Sequence, residues 1–171
     1  MKRILISLIV FSTFPGFALA DFRYKPTTDD FDGSKQKTIS GVSEEGYSLT
    51  MRQIADGAEL YDNFGMVIDF NQFLCGGPRN RVNVDWIAID KAGKQSEIES
   101  YTAVVSKNRR FVGFVTNQGQ EDRVTANRLF NALSSAASVR LRISDECGTR
   151  SIAKFNTEDF GAAISELERA R

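Results

Sequence analysis

Hydrophobic and polar residues alternate along much of this chain, most clearly in its last third. Val139, Leu141 and Ile143 alternate with Arg140, Arg142 and Ser144, the period of two expected of a strand with one buried and one wet face. Cys147 and Gly148 interrupt the run. Thr149 to Phe155 then supplies a second short strand, with Ile152 and Phe155 expected in the core, and the two strands read together as an antiparallel hairpin. Beyond it, Phe160, Ala163, Ile164 and Leu167 fall at i, i+3, i+4 and i+7. This spacing predicts an amphipathic helix, capped by Asn156 or Thr157 and laid on a sheet.

Strand patterns dominate the preceding residues. Lys37 to Ile39, Tyr47 to Ile54 and Met66 to Phe70 are predicted strands, with turns at Asp56-Gly57 and at Gly76-Gly77-Pro78. In Arg81 to Asp90, Val82, Val84, Trp86 and Ala88 face one way and Asn83, Asp85, Ile87 and Ile89 the other. The strand becomes apolar on both faces towards its end, which predicts a central position. Glu97 to Val105 and Arg109 to Thr116 make two more strands, with Tyr101, Phe111, Phe114 and Trp86 expected in the core. Val124 to Ala136 has helical spacing, with Leu129, Phe130 and Leu133 as apolar contacts. Many strands, one helix, a hairpin and a terminal helix predict a mainly β fold: an antiparallel β-sandwich or curled sheet with two helices, the last packed on the sheet.

The first twenty residues read differently. Lys2 and Arg3 precede an apolar stretch from Ile4 to Phe17, and Ala18-Leu19-Ala20 has the small-x-small form of a cleavage site. A secretory signal peptide over residues 1–20 is therefore expected, with an extended polar leader over 21–35 and a single β-rich domain over 36–171. The mature chain is expected in a periplasm or secreted, with no membrane span. Loss of Lys2 and Arg3 leaves 20 basic against 22 acidic residues, a net charge of −2. A nucleic-acid binder would need a clear basic surplus. Cys75 and Cys147 are the two cysteines of the chain. An even count in an oxidising compartment predicts a disulfide between them.

Candidate chemistry is sparse. The chain contains no histidine, so a Ser-His-Asp triad, a Cys-His pair and the usual zinc sites each lack a required component. Asp30-Phe31-Asp32-Gly33 has the flavour of a calcium loop, but its twelfth position falls on Ile39, where a glutamate is needed. Glu97 and Glu99 lie two apart on one strand face, a spacing open to a carboxylate pair and equally to a solvated surface. Ser151 and Lys154 match S-x-x-K, but in a strand residues three apart point to opposite faces. No metal, cofactor or catalytic residue is expected. Arg140 and Arg142 share the outward face of the hairpin strand and Arg150 is placed to join them. Clustered arginines suit recognition of carboxylates or phosphates, or form the wet face of a sheet.

The C-terminal pattern, carried by Leu129, Phe130, Leu133, Val139 to Ile143, Ala153, Phe155, Phe160, Ala163, Ile164 and Leu167, resembles two exported bacterial families. These are the VasI-like proteins associated with type VI secretion and the invasion-associated locus B family. The resemblance implies a small β-sandwich outside the cytoplasm that acts by binding a protein partner rather than by catalysis, as an accessory to secretion or virulence. The alternative expectation is a periplasmic inhibitor or immunity protein directed at a lytic enzyme.

Overall fold

Among the described residues, nine strands pair antiparallel into one sheet: β1 (Arg23–Thr28), β2 (Lys35–Val42), β3 (Ser48–Gln53), β4 (Phe64–Asp69), β5 (Arg81–Ile89), β6 (Glu99–Val105), β7 (Phe111–Val115), β8 (Ser138–Ser144) and β9 (Arg150–Asn156). The structure is a computed structural model, and it describes residues 22–28, 35–53, 64–75, 81–107, 109–115 and 120–170. The strand order is β1-β2-β3-β4-β7-β6-β5-β8-β9. Helix α1 (Gln120–Ser135) carries the chain from β7 to β8, and α2 (Phe160–Arg169) follows β9. The fold is mainly β, and of the two expected forms it is the curled sheet. The expected signal segment, the acidic turn at Asp29 to Gly33, the Asp56-Gly57 turn and the Gly76-Gly77-Pro78 cluster lie outside the described residues.

One face of the sheet forms the core. Alternate residues of every inner strand supply it: Ile39, Leu49 and Met51, Met66 and Ile68, Val82, Val84 and Trp86, Ala103 and Val105, Val112 and Phe114, Val139, Leu141 and Ile143, all buried. The helices cover this face with Ala126, Leu129 and Leu133 from α1 and Phe160, Ala163 and Leu167 from α2. Burying one such large apolar side chain is worth about 1.5–3 kcal/mol. Five aromatic rings join distant parts of the chain: Phe155 to Phe22, Phe22 to Phe160, Phe160 to Phe130 and Phe130 to Phe64, with centroids 5.0–6.0 Å apart.

The sheet does not close on itself. Its β9 edge is instead covered by two loops. The N–H and C=O of Lys154 point away from β8 and meet the β2–β3 turn, where the Glu45 carboxylate accepts from Lys154 N–H at 2.8 Å and Glu44 N–H donates to Lys154 C=O at 3.0 Å. Further along, the Gln72 amide donates to the Ser151 hydroxyl. At the hairpin turn, Glu146 N–H donates to Cys75 C=O at 3.3 Å. Unpaired edge groups invite aberrant strand pairing, and the β2–β3 turn withdraws those of Lys154 from it.

Several sequence expectations need correction. The polar leader contains β1, because its backbone pairs with β2 from Arg23↔Ser40 to Thr28↔Lys35 and Phe22 is buried against the core. Ile152 is not a core residue. It is 54% exposed, since Ser151, Ala153 and Phe155 hold the inward positions of β9 and a residue three from Phe155 must face outward. Phe111 shares the outward parity of its strand, beneath the guanidinium of Arg110 at 5.9 Å. Neither proposed cap residue caps α2: the N-cap is Asp159, with no side-chain cap. Thr157 donates instead to Ala136 C=O, and Asn156 accepts from Glu158 N–H.

Candidate functional site

The three arginines singled out in the sequence all project from the outward face of the β8–β9 hairpin, in unequal surroundings. Register places Arg140 between Ile87 on β5 and Lys154 on β9, and Arg142 between Asp85 and Ile152. Arg150 lies one row beyond, opposite Ser144. The strands are joined edge to edge, so outward residues two apart form successive rows about 7 Å apart.

Arg142 is held. Its Nη2 and Nε donate to one oxygen of Asp85 at 2.6 and 3.0 Å, while the Ser100 hydroxyl donates to the other at 2.7 Å. The hydrogen bonds from Ser100 and then from Arg142 hold the Asp85 carboxyl below its ordinary value of 3.8. Lys154 is likewise balanced, by Glu44 at 2.5 Å. Arg140 is exposed and has no carboxylate partner among the described residues. Neutralising Arg142 and Lys154 leaves Arg140 as the uncompensated cation between them.

A shallow groove of about 170 Å³ runs over this face, lined chiefly by the side chains of Ile87, Ile98, Ile152, Arg140 and Arg142. Ile98, just before β6, is 65% exposed, and Ile152 closes the opposite end. The groove is therefore apolar at its ends, with the half-buried Ile87 between them and, among the described residues, one guanidinium that lacks a carboxylate partner. Such a surface can take up an aliphatic group and an anion at adjacent points. Asp85, Ile98 and Ile152 carry as much of this geometry as the arginines. The strand parity of Ile152, opposite to that of Phe155, is the sequence signal that locates it.

The remaining candidates do not assemble. Glu97 is exposed, while Glu99 receives a hydrogen bond from Arg128 of α1 at 2.9 Å. Ser151 faces the core and Lys154 the outside, as strand parity requires. Among the described residues no group of three histidines, cysteines, aspartates or glutamates could hold a metal ion, and no helix is long and apolar enough to cross a membrane.

Cys75 and Cys147 are bonded, with Cα atoms 5.7 Å apart, at a sequence separation of 72. The bond ties the segment after β4 to the hairpin turn. The nearly buried Asp145 braces it, accepting from Cys75 N–H at 3.0 Å and from Thr149 N–H at 2.7 Å. The clasp thus fixes the hairpin that presents the arginines. No family model, no curated protein and no solved structure matches this chain.

Proposed function

We propose that this protein is an exported, non-enzymatic binding module that engages a protein partner through the outward face of β5, β8 and β9, in an accessory role to secretion or virulence. The observation that carries the reading is the exposure of Ile98 and Ile152, with the half-buried Ile87 between them, around an Arg140 that has no carboxylate partner among the described residues. Contiguous apolar groups left in water beside a free charge mark an interaction surface rather than a solvated one. Export is supported by the disulfide, a bond that persists in oxidising compartments. The charge balance of the mature chain argues for a protein over a nucleic acid.

Site-specific photo-crosslinking in producing cells tests this directly. With the crosslinker at Ile98 or Ile152, discrete products are expected that are absent with it at Arg52, an exposed residue of β3, and that disappear in Arg140→Glu. Mass spectrometry of the products then identifies the partner, and a lytic enzyme there would replace the accessory role by the inhibitor role. Equal labelling at all three positions, or none at any, removes the basis for the reading.

A further inference from the structure

The geometry points to the sequence character of the partner: we infer that the groove takes an extended segment with an apolar residue at i, an acidic residue at i+2 and an apolar residue at i+4. This rests on the protein-binding reading above and specifies its ligand.

Ile98 lies at the β6 side of the groove and Ile152 on β9, with β5 and β8 between them. Three strand spacings amount to about 14 Å. An extended chain advances about 3.4 Å per residue and points every second side chain the same way. A segment laid across the strands therefore sets down residue i on Ile98 and Ile87, residue i+2 near the middle, and residue i+4 on Ile152. The middle belongs to Arg140, whose row contains Ile87.

Charge selects what residue i+2 must be. Arg142 already shares Asp85, and Lys154 already has Glu44. Arg140 is left to receive a carboxylate, and its planar guanidinium suits a two-point hydrogen bond to one. A basic or neutral residue at i+2 would leave this charge desolvated without a partner. A second copy of this chain is a poor occupant: a two-fold contact centred on this groove would set Arg140 against its own symmetry mate.

Trp86, the single tryptophan of the chain, is buried on the core-facing side of the sheet, so occupancy is read at the outward face itself by NMR. The probes are two capped peptides, acetyl-Ser-Leu-Ser-Glu-Ser-Leu-Ser-amide and its glutamine counterpart, titrated into the oxidised protein at low ionic strength, with amide shifts at Arg140 and Ile152 followed. The glutamate peptide is expected to bind at least tenfold more tightly. Arg140→Gln should erase that difference, and Ile152→Asp should abolish binding of both. Ile152 is exposed, and retained circular dichroism confirms that its variant is folded.

Equal binding of the two peptides would overturn the carboxylate assignment. Binding of neither, with position-specific crosslinks at Ile152 intact, would overturn the spacing rule and leave the protein-binding reading standing. Loss of both would end both. Self-association of the protein in sedimentation, abolished by Ile152→Asp, would show the occupant to be a second copy and overturn the inference.

Discussion

The ring of Phe22 lies so close to Gly41 that a Cβ built there would stand 2.7 Å from two of its carbons. Gly41 is a buried position of β2, and the missing side chain is what lets the residue preceding β1 enter the core. Phe22 cannot yield, since Phe155 and Phe160 hold its ring at 6.0 and 5.0 Å.

Gly41→Ala is accordingly expected to destabilise the protein by about 1–3 kcal/mol through overpacking, and Phe22→Ala by about 3–5 kcal/mol through the cavity it leaves. The two changes are not independent. In the Phe22→Ala background the methyl added by Gly41→Ala finds free space, so its cost should fall to near zero, a coupling that a double-mutant cycle by urea denaturation measures. Strict additivity would show that the Phe22 ring does not occupy this site.

Replacing both Cys75 and Cys147 by alanine is expected to lower the stability by about 4 kcal/mol, the chain-entropy value for a loop of 72 residues. The denaturation midpoint reports it. A loss below about 1 kcal/mol would mean that the hydrogen bonds of Asp145 to Cys75 and Thr149 already hold the two segments together without the covalent bond.

Asp85 makes stability depend on acid in a defined direction. Its folded pKa is lowered, chiefly by Ser100 and then by Arg142, so the folded protein binds fewer protons here than the unfolded chain does. The contribution is complete above the ordinary value of 3.8 and is lost as pH falls through the lower folded value. The stability gap between the native chain and Asp85→Asn should therefore narrow as the pH drops below 3.8. Denaturation at a series of pH values reads the gap, and one that stays constant would remove Asp85 as its source. Arg142 is about half exposed, so solvent screens the pair and the effect is small.

The alternation of Val139, Leu141 and Ile143 with their arginines, and the stripe from Phe160 to Leu167, are legible in the chain because strand and helix periodicities are local properties. The mainly β class and the outward sense of Arg140 and Arg142 follow from them, and the pairing of the two cysteines follows from their even count. The leader is not legible: β1 exists because Phe22 docks on Gly41 and its backbone finds β2, and nothing in a polar stretch announces such a docking. Ile152 is misplaced when its apolar character is weighed above its parity, although Phe155 three residues on requires the outward face.

The chain alone determined which residues share a face. Only the tertiary structure decided which of those faces is sealed, which arginine keeps its charge to itself and which isoleucines stay in water. Periodicity acts between residues a few positions apart. Charge compensation and burial arise between strands such as β5 and β8, which are remote in sequence and become neighbours only when the sheet forms.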